Sequence, residues 1–191
     1  MPKVGMEPVR KKQLIEATLD VIAKVGLHGT TISLISRQAG LSSGIISHYF
    51  GDKQGLIEAT MRYLLDALKI KDAFPCHKER IRFIVNNNFS TVQRADSATN
   101  TWLNFWAMSL HSDGLYRLQR VNHKRLESNL AYSFRQLLPK DKARLAASST
   151  AAMIDGYWLR CALCRGESKD FNEACARVLH HVDVLLSDSL H

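Results

Sequence analysis

Turn-forming residues are scarce in this sequence, with 10 glycines and 4 prolines among 191 residues. So few breakers leave room for long helices. Strand-type alternation of apolar and polar residues is nearly absent, which argues against a sheet-based core and predicts an all-α chain. No uninterrupted apolar run is long enough to span a bilayer, and the N-terminus has no apolar leader segment. A membrane partner is therefore not expected, and the expected location is cytoplasmic. The four cysteines (Cys76, Cys161, Cys164, Cys175) are then expected to be reduced. Also missing are a glycine-rich phosphate loop, a nucleophile elbow and paired carboxylates in a recognisable cleft. The 8 histidines lack metal-ligand spacing. Cys161-x-x-Cys164 has no second such pair and falls inside a helical pattern, so structural cysteines among small packing residues are expected there. No catalytic residue, metal or cofactor is assigned, and an enzyme is not expected.

What the chain does have is positive charge: +8 net, with a pI near 9.5. Such a balance favours polyanionic partners, nucleic acid first and an anionic membrane second. Residues 1–55 hold seven Lys and Arg (Lys3, Arg10, Lys11, Lys12, Lys24, Arg37, Lys53), so part of the excess lies at this end.

The stretch from Thr30 to Lys53, TTISLISRQAGLSSGIISHYFGDK, holds two short helical patterns and a tight turn. Thr30 and Thr31 are N-cap candidates. Ile32, Ile35 and Ala39 share a face, and Gly40 follows where a left-handed backbone costs least. Ser42 is a second N-cap candidate, opening a helix whose inward face is Ile45, Ile46 and Tyr49. The outward face carries Ser43, Gly44, Ser47 and His48, small or polar residues suited to approach base edges. Lys53 sits where the next helix begins, and a cation beside free backbone N–H groups holds phosphate. This is the pattern of a helix-turn-helix, whose second helix enters the DNA major groove. Two ordinary amphipathic helices give the same periodicity.

Thr31, Ala39-Gly40-Leu41-Ser42, Gly44, His48-Tyr49-Phe50 and Lys53 resemble the DNA-binding motif of the TetR family of repressors. Ser47 departs from it: many relatives carry a phosphate-contacting tyrosine there, a role that passes to Tyr49 or His48. The resemblance implies operator double-stranded DNA as a partner, with Thr31, Ser42, Ser43, Gly44, Ser47, His48, Tyr49 and Lys53 at the interface.

Around this motif the pattern predicts a basic arm over residues 1–6 and a helix from Pro8 to about Val25, with Ile15, Leu19 and Ile22 inward. Arg10, Lys11 and Lys12 either touch the DNA backbone or form a solvated face. A long helix is expected from Lys53 to about Lys71, closed before Phe74-Pro75. Further helices are expected over 77–94, 98–112, 114–137, 140–165 and 170–187. Val92, Val121 and Leu137 are placed inward. Asn86-Asn87-Asn88 is expected to form a solvated face, with a polar cavity wall as the alternative. The domain boundary is placed inside the long helix, giving a DNA-binding domain over 1–61 and a ligand-binding and dimerisation domain over 62–191. Small residues on the last two helices suit half of a four-helix homodimer interface.

Trp102, Phe105 and Trp106 share one helix face, and Asp155 and Trp158 lie three apart on another. Asp155 stands in an apolar run, where a carboxylate is costly without a partner. A quaternary ammonium would supply one, and aromatic rings attract it. The alternative makes the aromatics core and pairs Asp155 with Arg160 or water. The runs SGIISHYF, DK-x-GL-x-EATMR, WL-x-FWA, LYRLQ and Met153–Arg160 resemble the choline-responsive branch of the same family, from about Pro8 to Leu186. That branch represses genes converting choline to glycine betaine, which implies choline as effector of a homodimer.

Overall fold

The structure is a computed structural model that describes residues 6–187. The described residues form α1 (Met6–Gly29), α2 (Ile32–Ala39), α3 (Gly44–Phe50), α4 (Lys53–Asp66), α5 (His77–Asn88), α6 (Thr91–Arg94), α7 (Asp96–Ser109), α8 (Asp113–Phe134), α9 (Lys140–Leu163) and α10 (Ser168–Ser187). No strand occurs among them, so the chain is all-α as expected. No helix is long and apolar enough to cross a membrane. Most of the expected basic arm, Lys3 included, lies outside the described residues. Two compact units are present. One joins the chain up to Ala67 with Ala95–Tyr116, and the other joins Leu68–Arg94 with the chain from Arg117 onward.

In the first unit, each of the first four helices contributes an aliphatic side chain with no exposure: Leu14, Ile35, Ile46 and Leu56. They form one cluster with Ala17, Val21 and Ala39. Removing each large side chain from water is worth about 1.5–3 kcal/mol. The inner stripe of α1 includes Leu19 and Ile22 as its spacing predicts, while Ile15 is half-buried. Gly26, at φ 67 and ψ 173, breaks α1 near its expected end. Thr30 does not cap α2; its hydroxyl donates to the Gly26 carbonyl at 2.7 Å. α7 packs against α1 and α4, where Met108 meets Ile22, Leu27 and Ile57.

α4 ends at Asp66, earlier than the expected Lys71. Leu68 and Ile70 explain the early stop. They are two residues apart on non-helical chain and line one cavity in the second unit. Alternate residues share a face on extended backbone but not on a helix. Residues 77–94 form two helices rather than one. Asn86 and Asn88 each donate a side-chain bond to the carbonyl four residues back, Arg82 and Ile84, at 2.8 Å. Such local bonds compete with helix continuation, and Phe89 leaves helical geometry at φ −103, ψ 16. The break turns Val92 outward, 53% exposed, and buries Gln93 in its place. Asn87 and Asn88 line the cavity, so the wall alternative applies to them rather than the solvated face. α8 stops at Phe134, Val121 and Leu137 are exposed, and Leu138 is buried instead.

The second unit holds α5 against α8 and α10 through polar anchors. Arg80 donates to the Asn129 carbonyl (2.7 Å), the Asn129 side chain (2.7 Å) and Ser133 Oγ (2.9 Å), and stacks on Tyr132 at 5.0 Å. Lys78 and Arg82 both pair with Asp183, at 3.0 and 3.1 Å, and hold its carboxyl below the usual range. α10 also packs along α9.

Gly55, in the first turn of α4, shows how tightly α3 and α4 meet. A Cβ there would run into the Phe50 carbonyl oxygen. Gly55→Ala is expected to lower stability by about 1–3 kcal/mol, despite alanine's better helix propensity. Urea unfolding should show a lower midpoint at unchanged slope; an unchanged or higher midpoint would contradict the close approach.

Candidate nucleic-acid interface and effector residues

Both ends of α2 are closed by the residues its sequence supplies. Thr31 Oγ1 accepts from the Leu34 N–H at 3.2 Å. Gly40 adopts φ 64, ψ 30, its N–H donates to the Arg37 carbonyl at 3.2 Å, and the Leu41 N–H donates to Ser36 at 2.9 Å. That pair of bonds is a Schellman stop. A further tie was not foreseen: Gln13 on α1 donates to the Ala39 carbonyl at 2.6 Å. Nothing in the local pattern marks Gln13, because its partner lies 26 residues away.

α3 begins differently from the sequence expectation. Its N-cap is Ser43, not Ser42, and no side-chain cap bond forms. The first turn is held by tight backbone bonds, Ile45 N–H to Ser42 O and Ile46 N–H to Ser43 O, both 3.2 Å. Both serine side chains are thus left exposed. With Ile46 buried and Ile45 and Tyr49 half-buried, Ser43, Gly44, Ser47 and His48 lie exposed on the other side. No side chain competes with a partner for the Gly44 position, where an added Cβ would meet nothing within 4 Å. Tyr49 packs against the head core, and the Lys11 ammonium sits 5.6 Å from its ring centre. Thr31 is exposed and Lys53 half-buried at the start of α4. Asp52 caps that helix, accepting from the Gly55 N–H at 2.7 Å.

The basic residues of α1 are partly committed within the helix. Lys11 pairs with Glu7 at 2.7 Å, which holds the Glu7 carboxyl below its ordinary value, and Lys12 pairs with Glu16 at 3.6 Å. Exposed i,i+4 pairs of this kind are weak, so a phosphate can displace them.

The aromatic candidates fall in different units. Trp102, Phe105 and Trp106 belong to α7 in the first. Trp102 and Phe105 are buried and meet edge to face at 5.7 Å; Trp106 is half-buried, 6.1 Å from Trp102. Asp155 and Trp158 belong to α9 in the second, where Trp158 is buried against Phe171 at 6.1 Å. Among the described residues Asp155 forms no hydrogen bond or ion pair, and Arg160 does not pair with it. Loss of water around Asp155 lifts its carboxyl from 3.8 to about 6, against a smaller opposing pull from His123. The cavity beside Asn87, Asn88, Asn122 and Arg125 measures about 20 Å³. That holds about one water, not an organic cation. The cysteines depart from expectation: Cys164 is exposed and Cys161 half-buried, and only Cys175 packs inside, donating to Asn86 at 3.3 Å.

An exposed, short-side-chained recognition helix held by a capped partner defines a helix-turn-helix DNA-binding regulator. Residues 14–60 match the family of bacterial regulatory proteins of the tetR type, and residues 77–187 match the BetI-type transcriptional repressor C-terminal family. The chain belongs to the TetR family, with a BetI-type C-terminal half, and is a DNA-binding transcriptional repressor. It is 54% identical over 172 residues to the HTH-type transcriptional regulator BetI of Proteus mirabilis (strain HI4320), covering 85% of each chain. It is 47% identical over 198 residues to BetI of Yersinia pestis (strain Pestoides F), covering 98% of each. A TetR transcription regulator from Haloarcula marismortui has the same fold, with a TM-score of 0.79 at 16% identity over 93% of this chain and 98% of that one. So has a transcriptional regulator from Saccharomonospora viridis solved in complex with choline, with a TM-score of 0.76 at 18% identity over 93% and 97%.

The raised Asp155 pKa makes a stability prediction. A carboxyl with a folded pKa above its unfolded value leaves stability intact below pH 3.8 and erodes it as pH rises through about 6. At neutral pH the cost is about 2–3 kcal/mol. Asp155→Asn should therefore be more stable than the parent at pH 7 and equal to it at pH 4. Urea titrations of both proteins across this range check it, and parallel curves would contradict the desolvated carboxylate.

Proposed function

We propose that this repressor acts as a cytoplasmic homodimer on operators of genes converting choline to glycine betaine, with choline as effector. Asp155 carries the choline part. It is a desolvated carboxylate with only the smaller pull of His123 to offset the loss of water, one helical turn before Trp158. A quaternary ammonium brings positive charge with no hydrogen bonds to satisfy, and aromatic rings attract it. Trp102, Phe105 and Trp106 are the other aromatic candidates. The similarity to BetI regulators and to a choline-bound neighbour supports the reading.

On the DNA side, Ser43, Gly44, Ser47 and His48 approach base edges, while Thr31, Ser42, Tyr49 and Lys53 serve the phosphate backbone. TetR-family regulators are dimers, and α9 offers a face for it. Leu145 and Leu163 are 70% and 65% exposed. Ala152 and Gly156 lie between them on the same helical face, with open space where a Gly156 Cβ would stand. We assign this face, with α10, to a four-helix interface. Two heads then engage successive major grooves roughly 34 Å apart. Choline acts by binding more tightly to a head spacing that does not fit, since only differential affinity shifts an equilibrium.

Fluorescence anisotropy with duplex from upstream of the protein's own gene, against scrambled competitor, tests the function. Specific binding is expected, weakened about tenfold or more by choline, a shift of 1.4 kcal/mol. His48→Ala should lose about tenfold in specific affinity while keeping its thermal stability. Asp155→Asn should keep operator affinity and lose the choline response. Specific binding indifferent to choline would remove the effector and leave the repressor. In sedimentation, Gly156→Arg should shift the protein towards monomer; an undisturbed dimer would move the interface elsewhere.

A further inference from the structure

The end of α9 carries two thiols that the repressor function does not use. α9 closes at Leu163, Cys164 is its C-cap, and Arg165 turns the chain with φ 51, the one described non-glycine residue at positive φ. The Gly166 N–H closes the turn on the Cys161 carbonyl at 2.8 Å. Cys161 and Cys164 are both free and both line an open cleft of about 730 Å³ between the last turn of α9 and the start of α10. Residues three apart on a helix are surface neighbours, about 5–6 Å between Cβ atoms, and a disulfide draws Cβ atoms to about 3.5–4.5 Å, so closing the bond needs the last turn to yield by about 1–2 Å. Placing the second thiol on the terminal residue leaves it freer to move than a thiol inside the helix.

The cleft carries charge of both signs, with Glu167, Asp170 and Glu173 as its acids. Arg160, Arg165, Lys169 and Arg177 line it. Of the facing acids, Asp170 accepts the Glu167 N–H at 2.6 Å and Glu173 pairs with Arg177 at 3.9 Å. Arg160, Arg165 and Lys169 form no ion pair among the described residues. Burial pushes the Cys161 thiol up, with Asp170 and Cys164 adding to the shift, which leaves exposed Cys164 as the sulfur that reacts first. On the helical wheel Cys161 lies well away from the Leu145–Gly156–Leu163 face and Cys164 about a quarter turn from it.

We propose that Cys161 and Cys164 are a reversible oxidation site, at which a hydroperoxide converts the dithiol into an intrachain disulfide. The Cys164 thiolate, its proton lost to solvent, attacks one peroxide oxygen. The O–O bond breaks, leaving Cys164 sulfenic acid and a hydroxide that protonates to water. The Cys161 sulfur then attacks the Cys164 sulfur. An S–S bond forms, the S–O bond breaks, and the departing hydroxide leaves as water with the Cys161 proton. Two thiols and one hydrogen peroxide become one disulfide and two waters, with both sulfurs oxidised and the peroxide reduced. A cellular dithiol reverses the step by exchange.

The test uses the full chain with Cys76→Ser, which removes the other exposed thiol. The reduced protein is treated with hydrogen peroxide, blocked with iodoacetamide and digested with trypsin. Cleavage after Arg160 and Arg165 releases Cys161–Arg165 as one peptide with both thiols. That peptide is expected to lose two hydrogens, resist alkylation and recover with dithiothreitol. With Cys161→Ser, Cys164 should instead accumulate as a sulfenic acid trapped by dimedone. Circular dichroism confirms that each variant is folded. Full alkylation of the peptide after peroxide, independent overoxidation of both sulfurs, or a link between chains in place of the internal bond would each overturn the assignment.

Discussion

Four aliphatic side chains hold the DNA-facing end of this protein together. Leu14, Ile35, Ile46 and Leu56 come from four successive helices and meet with no exposure. α3 has seven residues, well short of what a helix needs to persist in water. Its existence rests on Ile46 being gripped by the other three helices. The direction of its polar face follows from the same contact. Once Ile46 points inward, the 100° step per residue sends Gly44, Ser47 and His48 outward, while Ser43 is exposed because it stands at the cap, before the helix begins. The caps at Thr31 and Gly40 and the Gln13 bond to Ala39 serve this arrangement by fixing where α2 begins and ends.

The parts of this design that depend on neighbours in sequence were legible. The Thr31 cap, the Gly40 stop, the break at Gly26, the division at Pro139 and the shared face of Trp102, Phe105 and Trp106 all follow from residue type and spacing. The parts that failed depend on distant partners. The stop of α4 at Asp66 is set by where Leu68 and Ile70 must go, not by a breaker at residue 67. The break after Asn88 comes from side-chain bonds that periodicity does not register. The packing of α7 against α1 and α4 has no local signature, since its aromatic face suits any apolar neighbour. Around α3 the exposure of Ser43, Gly44, Ser47 and His48 was foreseen, whereas the choice between Ser42 and Ser43 as cap turns on one residue of register. That is within the ordinary ambiguity of helix ends.

Asp155 and Asp183 show how differently one side-chain type is treated in the second unit. Asp183 meets two cations and is held ionised at a lower pH than usual. Asp155 has only the smaller pull of His123 to offset its loss of water, and resists ionisation up to about 6. The first is a structural anchor. The second is a standing electrostatic deficit in the apolar run of residues 151–159, and perturbed groups of this kind cluster at functional sites.

On the proposed DNA-binding mode, the short side chains on the outer face of α3 also govern how much disorder is lost on docking. Ser43, Gly44 and Ser47 have few or no rotamers to freeze, unlike the lysines and arginines that usually face DNA. The ordering cost of complex formation thus falls on the nucleic acid, its bound water and its counterions rather than on the protein's recognition helix. A face so rigid tolerates little adjustment to a deformed groove. Discrimination between sites then comes in large part from how readily each DNA sequence takes up the shape this helix requires.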